Sequence, residues 1–436
     1  MTIPKINPQG RPYKVPTDDL DTVLKAPRNG WHYPIIYAGA ASMESANPNL
    51  MTINLGSGDV DGFSISPAGD TWGGGHANYD PQTWLGAGYD GVRFVGEGID
   101  TTTIIQASWD AITIGVKQHN GIVQFEDCTI EGGRPYNGRG IWFGLPTTSL
   151  APNFRLVCKS VRFNNLGPTD PIAGSGRCAW PVFSYQADLC FLDCVWDGLE
   201  CTEHNVYAHG FAGLGMHMAR CTHNSAGAEC VKVRADNTET IWAGPDVAVN
   251  IVDCHFENWR QDWSNRGGAA IVMQGAAAHI MVARCGFWPG PTITGGILNE
   301  DGYTRSQCIM ISAEGLSFDI DTGVVDAGHG NGFVWVTNCL MESSMAAPGL
   351  KPIINTGTWG GTQIPCKGYL IQECGVWGTN MHVRANGVTV PVPKWGIMNC
   401  NTDRIVTIAQ RLGMTATDDS LYSGTVPMTT NRPYGP

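Results

Sequence analysis

The sequence predicts an all-β solenoid of stacked parallel strands, and three observations support this fold class. An apolar pair recurs five and three residues before a cysteine, at a mean spacing of about 30 residues, which is typical of repeat architectures. Within each unit, apolar and polar residues alternate with the period of a strand. Helical apolar spacing occurs only near residues 405–412. Units this short without helices favour a coil of parallel strands over β–α–β units.

A cysteine occupies the same position in most of these units, and the residue before it is polar or charged. In one unit Val249 and Ile251 alternate with polar neighbours, and the phase then shifts at Asp253, as expected at a bend between two strands. A second short strand follows in many units. The marking cysteines are Cys128, Cys194, Cys221, Cys254, Cys285, Cys339, Cys374 and Cys400, with Val161 and, more loosely, Leu316 in equivalent positions.

Composition restricts the functional classes. The chain has 15 cysteines, an odd number, and no C-x-x-C pair, which predicts free, buried thiols in a reducing compartment and neither a metal site nor another cofactor. A net charge of −12 argues against a nucleic-acid partner. No 18-residue apolar run is present, and the N-terminus lacks the basic-then-apolar plan of a secretion signal. We therefore expect neither membrane insertion nor secretion.

Two turn motifs carry a resemblance to a known family. Residues 52–58 (TINLGSG) read as a strand followed by a G-x-G turn, and residues 92–98 (VRFVGEG) followed by 102–105 (TTII) read as the next turn. Over residues 50–400 the sequence resembles the right-handed parallel β-helix family, which contains pectate lyases, other polysaccharide-degrading enzymes and phage tail spikes. The resemblance implies a single-stranded right-handed parallel β-helix solenoid of about ten or more rungs at residues 51–404.

The segments outside the repeat are rich in Pro, Asn, Thr and Ser. We assign residues 1–50 to an N-terminal extended or attachment segment and residues 405–436 to a C-terminal cap and extended tail. In the phage members of the family, the N-terminal part attaches to the particle and the coil forms trimers. The resemblance therefore implies a virion location, a homotrimer, and contacts with other virion proteins through the terminal segments.

Polar and titratable residues are densest at residues 200–209 and in the next unit. A fixed offset from the cysteines places Lys232 beside Asn205 and Arg234 beside Tyr207, all facing outward. In a polysaccharide lyase, the Lys/Arg pair would neutralise a uronate, and Lys232, Tyr207 or His209 would act as base or acid. An outward hydrogen-bonded ladder or a subunit contact would use the same residues. The candidates are Lys232, Arg234, Tyr207 and His209 for catalysis and Glu203, His204 and Asn205 for substrate binding.

Other residues suggest a glycoside hydrolase or a glycan-binding surface. A hydrolase needs two carboxylates at a set separation, although acidic residues in solenoid turns are often simple turn formers. The 15 tryptophans include several in predicted loops, where aromatic faces stack on sugars, anchor protein interfaces or cap the coil. The carboxylate candidates are Asp197 with Glu200, Glu300 with Asp301, and Asp319, Asp321 and Asp326. The loop tryptophans are Trp72, Trp259, Trp263, Trp288, Trp359 and Trp377. Among them, Trp259 and Trp263 are the predicted glycan-binding pair.

Three functions follow from these observations. The first is a tail-spike-like or virion structural β-helix protein that presents aromatic and polar loops to a host-surface glycan. The second is a polysaccharide lyase or glycoside hydrolase with the same fold. The third is a purely structural or decoration protein without a ligand.

Overall fold

The computed structural model of the chain describes the strands of the repeat and many of their connections. The described residues are 4–6, 12–14, 49–66, 77–105, 110–114, 121–131, 139–143, 154–164, 182–185, 188–197, 204–209, 216–226, 229–234, 247–259, 269–274, 278–288, 307–312, 333–342, 354–355, 368–372, 375–377, 383–384 and 395–398.

The described part of the chain is all-β apart from one short helix, α1 (Pro81–Leu85). Its strands form two large sheets and one small antiparallel pair, β1 (Pro4–Ile6) with β2 (Pro12–Lys14), which lies in the predicted N-terminal segment. The large curled sheet contains β3 (Leu50–Gly56), β4 (Gly58–Asp61), β7 (Gly91–Gly96), β8 (Thr102–Ile105), β10 (Gly121–Glu131), β12 (Phe154–Asn164), β14 (Asp188–Leu192), β15 (Val195–Asp197), β17 (Met216–Ala219), β18 (Thr222–His223), β20 (Val247–Val252), β21 (His255–Glu257), β23 (Ala278–Ala283), β24 (Gly286–Trp288), β26 (Phe333–Thr337), β27 (Leu340–Glu342), β29 (Gly368–Gln372), β30 (Gly375–Trp377) and β32 (Trp395–Met398). The second sheet contains β5 (Phe63–Ile65), β6 (Ala77–Tyr79), β9 (Asp110–Ile114), β11 (Arg139–Phe143), β13 (Val182–Tyr185), β16 (His204–His209), β19 (Glu229–Arg234), β22 (Ala269–Gln274), β25 (Gln307–Ser312), β28 (Ile354–Asn355) and β31 (Val383–Arg384).

The strands repeat in groups of three. In one group β14 leads through a tight corner to β15, and β16 follows in the second sheet; the next group is β17, β18 and β19. Each strand pairs in parallel with its counterpart in the next group, as β14 does with β17, β15 with β18 and β16 with β19. This large curled parallel sheet, with a second parallel sheet beside it, is consistent with the predicted parallel β-helix.

One hydrophobic core lies between the inner faces of the two sheets. The predicted apolar pairs from Val123/Phe125 to Ile280/Val282 point into it. Leu189, Phe191, Met216 and Met218 are fully buried members, and residues of the second sheet such as Val231 join them. Burying such side chains contributes roughly 1.5–3 kcal/mol each, so the repeated pair accounts for much of the stability of every unit.

A column of stacked rings runs through this core. Phe163, Trp196, His223, Phe256 and Phe287 lie in successive units, with centroid distances of 5.0, 4.2, 4.9 and 5.0 Å and interplanar angles of at most 16°. Burial lowers the pKa of His223 to about 3. The imidazole is therefore neutral at physiological pH and stacks as one more flat ring.

In seven of the units that the structure describes, the corner between the two strands of the curled sheet has one left-handed residue that is not glycine. This residue directly precedes the cysteine position, and its φ lies between 50° and 55°. The left-handed residue interrupts the strand alternation, so that Phe191 and Cys194, three residues apart, both face the core. Asp and Asn tolerate this conformation better than most residues, which explains much of the polar pattern. The corner residues are Asp127, Ser160, Asp193, Arg220, Asp253, Arg284 and Asn338.

Side chains from successive corners pair with one another. Arg220 donates to both carboxylate oxygens of Asp193 at 2.7 and 2.9 Å, and Arg284 donates to both oxygens of Asp253 at 2.5 Å. Both pairs are partly exposed, so each contributes at most about 1 kcal/mol. Their bidentate geometry nevertheless orients the two arginines along the outer edge of the stack.

The cysteines of the repeat are free and buried where the structure describes them, as predicted. The thiol of Cys254 donates to the Val252 carbonyl at 3.2 Å, and the thiol of Cys194 donates to the Leu192 carbonyl at 3.3 Å. A small side chain with a weak donor therefore fits the inner side of the corner. Burial raises the pKa of the Cys128 thiol to about 12, so it is protonated and unreactive.

One predicted unit is wrong. The sequence pattern assigned Ile311 and Leu316 to a unit between Cys285 and Cys339, but Ile311 lies in β25, a strand of the second sheet. The curled-sheet strand β23 pairs directly with β26, so the two cysteines belong to adjacent units. Leu316 and the predicted cap helix at 405–412 lie outside the described residues.

Within the part of the chain that the structure describes, no helix has the length and apolar character needed to cross a membrane.

The left-handed corner predicts a specific order of stabilities at Asp253. Asp253→Val puts a β-branched residue at φ 55° and should lower the free energy of unfolding by about 2 kcal/mol. Asp253→Asn retains a side chain suited to this φ and should cost less than about 1 kcal/mol, mainly from the weaker contact with Arg284. Chemical denaturation of the two variants measures this difference. Equal stability of the valine and asparagine variants would contradict the role given to the corner.

Candidate functional site

The predicted polar patch lies on two adjacent strands of the second sheet. The register pairs Tyr207 with Lys232 and His209 with Arg234. The predicted pairing of Lys232 with Asn205 and of Arg234 with Tyr207 is therefore wrong by two residues. The fixed offset fails because the chain between Cys194 and β16 is two residues longer than the chain between Cys221 and β19.

The outward positions of the second sheet form a row along the stack. We call Trp142, Tyr207 and Lys232 the outer strip; Phe183 occupies the register position between the first two. Lys232 alternates with two valines of the core, which directs its side chain outward. Trp142 and Lys232 are partly exposed, whereas Tyr207 is only 9% exposed. The strip therefore presents mainly an indole and an ammonium group to solvent.

The ammonium group of Lys232 is held by its neighbours. Its Nζ lies 5.6 Å from the centroid of the Tyr207 ring, within the range of a cation–π interaction. The positive charge also helps to lower the pKa of the nearby Glu229, which keeps that carboxyl group ionised. The ammonium group thus lies over an aromatic face and remains partly accessible from outside.

Four predicted catalytic residues form a block of two by two positions. Tyr207 and His209 lie on β16, and Lys232 and Arg234 lie opposite them on β19. Neighbouring strands are about 4.8 Å apart, and alternate residues of one strand are about 7 Å apart. The block therefore has the lateral size of about one sugar residue, and three of its four members carry basic groups.

His204 and Glu229 form a buried pair beneath the strip. His204 Nδ1 lies 2.5 Å from Glu229 Oε2, and the two side chains are 2% and 3% exposed. Attraction by His204 lowers the pKa of Glu229 against the opposing effect of burial. The Tyr207 ring packs edge-on against the imidazole at 5.0 Å. The pair therefore supports Tyr207 from below, and its burial is inconsistent with the predicted ligand contact of His204.

Asn205 is also fully buried and does not face a ligand, contrary to the prediction. Its Nδ2 donates to the Ser225 carbonyl at 2.7 Å and lies 3.2 Å from Nδ1 of His223. Because Nδ1 of the neutral imidazole accepts this contact, the proton of His223 lies on Nε2, 3.4 Å from the sulfur of Met218. Asn205 thus links the second sheet to the ring column of the core.

The remaining predicted residues do not join the strip. Trp259 is fully buried and belongs to the hydrophobic core, so its assignment to an exposed glycan-binding pair is wrong. Glu203 and Trp263 lie outside the described residues, as do Glu200 and the acidic residues at 300–326. Asp197 is exposed at the end of β15. Among the described residues, no group of three or more His, Cys, Asp or Glu side chains is arranged to hold a metal ion.

Glu229 is the member of the site that the sequence pattern missed. The signal was available, because Glu229 precedes the two core valines of β19 just as His204 precedes the core residues of β16. The two-residue error in the offset hid that correspondence.

No protein-family model and no curated protein matches the chain. Among solved structures, the chain is similar to a chain described as Geobacillus virus E2 ORF18, with 12% sequence identity and a TM-score of 0.40. The match covers 80% of this chain and 53% of that chain, so this chain spans about half of its length. At this identity and TM-score, the likeness carries no argument about function.

The buried pair predicts non-additive mutational effects. His204→Leu leaves the Glu229 carboxylate buried without its partner and should lower the free energy of unfolding by about 3 kcal/mol or more. Adding Glu229→Leu removes the orphaned charge, so the double variant should be destabilised by clearly less than the sum of the single variants. A double-mutant cycle measured by chemical denaturation tests the coupling. Additive effects would show that the two side chains do not form a pair.

Proposed function

We propose that the chain is a virion β-helix protein of the tail-spike type that binds an acidic glycan of the host surface through the outer strip. One observation carries the glycan part: Lys232 presents a positioned ammonium group on a rigid sheet, with Trp142 in the same row and His209 and Arg234 at neighbouring positions. Basic groups attract carboxylate or sulfate groups, and the exposed indole offers a surface to the apolar face of a sugar ring.

Strand geometry supports a polymeric ligand. The members of the strip follow one another at the inter-strand spacing of about 4.8 Å, so a chain molecule lying along the stack would meet the positions from Trp142 to Lys232 in turn. The next position in the row, Val272, is fully buried and ends the strip.

The virion location is supported by the resemblance of the repeat and its turn motifs to a family that includes phage tail spikes. The homotrimer and the attachment to other virion proteins through the terminal segments stay predictions. The purely structural alternative predicts that no glycan binds to the strip.

Binding is tested by native electrophoresis in gels that contain alginate, polygalacturonate or a bacterial capsular polysaccharide. Lys232→Ala should weaken the retardation by an acidic polysaccharide by about tenfold, which corresponds to about 1.4 kcal/mol. Lys159→Ala is the matched control, because Lys159 is an exposed lysine of the curled sheet, far from the strip in the register. Absence of retardation, or equal loss in both variants, would refute the proposal.

Lyase activity is the second candidate, and the two-by-two block favours it. A lyase must neutralise a uronate carboxylate, remove the adjacent proton and protonate the leaving oxygen. Lys232 and Arg234 are suited to the first task, and Tyr207 and His209 carry groups able to transfer protons.

Lyase action is tested by incubating the protein with alginate and polygalacturonate and following the ultraviolet absorbance of an unsaturated product. Tyr207→Phe retains the ring beneath Lys232 and removes only the hydroxyl group, so it should reduce turnover by about 100-fold or more while binding persists. Binding without any product would reject the lyase and leave the glycan-binding proposal intact.

A further inference from the structure

A second cluster of functional groups lies on a different face of the stack. It is built by β21 and β24, which belong to the curled sheet, and consists of His255, Glu257 and Trp288. We infer that this cluster is a binding site for a neutral sugar residue, distinct from the acidic-glycan site of the outer strip. The inference extends the proposed function, since it assigns a second site and the opposite charge preference for its ligand.

The register determines the shape of the cluster. Glu257 pairs with Trp288, and His255 pairs with Gly286. The phenylalanines between them point into the core, so these four residues face outward. The Trp288 ring reaches diagonally to His255, with ring centroids 4.5 Å apart and an angle of 32°.

Gly286 is required for this arrangement. A Cβ at this position would lie 1.9 Å from Cζ3 of Trp288 and 2.3 Å from its Cη2. The Cζ3–Cη2 edge of the indole therefore abuts the backbone of Gly286, and the ring is partly exposed. Any side chain at residue 286 would meet this edge and displace the ring.

The imidazole of His255 lies against one face of the indole, and the two hydrogen-bonding groups of the cluster contact each other. His255 Nε2 lies 2.6 Å from Glu257 Oε1, and the two side chains are 35% and 39% exposed. This contact restrains both groups, and Glu257 retains a second carboxylate oxygen that can accept a hydrogen bond. The partly exposed indole of Trp288, beside a carboxylate and an imidazole, can meet the apolar face and the hydroxyl edge of a sugar ring.

Local charge favours a neutral ligand. Asp253 and Arg284 at the adjacent corner neutralise each other through their bidentate contact. Glu257 is then the acidic group beside Trp288, and it would repel a carboxylate or sulfate on the sugar. The outer strip has the opposite character, because its accessible charge is that of Lys232.

The same contacts could serve only to stabilise two neighbouring strands. A cross-strand contact of this kind contributes about 0.2–1 kcal/mol, so stability alone does not distinguish the two roles. Binding measurements do, because a purely structural cluster would leave affinity for a sugar unchanged in a folded variant.

The test uses native electrophoresis of the full chain in gels containing neutral polysaccharides: hydroxyethyl cellulose, galactomannan, dextran and soluble starch. The wild-type protein should be retarded by at least one of them, and Trp288→Ala should weaken that retardation by about tenfold. Glu257→Gln keeps the shape of an exposed side chain, so it should fold normally and also weaken binding. Lys159→Ala, at an exposed lysine outside both sites, is the matched control and should leave neutral binding unchanged. Lys232→Ala is measured beside it to separate the cluster from the outer strip.

The outcomes separate the two sites. Loss of neutral binding in the Trp288 and Glu257 variants, with acidic binding retained, supports the second site even if the outer strip proves inactive. Absence of neutral binding in the wild-type protein overturns the inference, and so does unchanged binding in Glu257→Gln. Loss of neutral binding in Lys232→Ala would assign all binding to the outer strip and would equally overturn it.

Discussion

The left-handed residue at the corner determines which way the side chains of the following strand of the curled sheet point. Without it, strict alternation would place the residue two positions after Phe191 in the core, where Asp193 instead lies at the surface. The shift turns Cys194 and Trp196 inward, and it leaves Val195, which lies between them, outside the core. The stacking of the ring column and the outward position of Trp288 therefore both depend on the left-handed conformation of the corner residue.

Much of the architecture could be predicted because this constraint leaves a mark in the sequence. The apolar pair, the polar corner residue and the cysteine recur together, and the buried free thiols follow from that pattern. The register between β16 and β19 could not be obtained in the same way. It depends on the number of residues between the corner and the second sheet, and no periodic signal records that number.

The burial of polar residues in the candidate site could not be predicted from the sequence. His204 and Asn205 have the composition of surface residues, yet one pairs with Glu229 and the other bonds to the ring column. Both partners lie in the next unit, so their identity depends on the stacking and not on local sequence. Trp259 shows the converse case, since a tryptophan beside Arg260 in a polar run is a member of the core.

The chain takes twice as many residues to pass from Cys285 to Cys339 as from Cys194 to Cys221, although both pairs lie in adjacent units. From β10 to β27 the corner shows no such variation, and one inserted residue there would exchange the inner and outer faces of the following strand. In these units the chain varies in length at the other two junctions and not at the corner. New surface features can be added to this protein by lengthening those two junctions while its hydrophobic core stays the same.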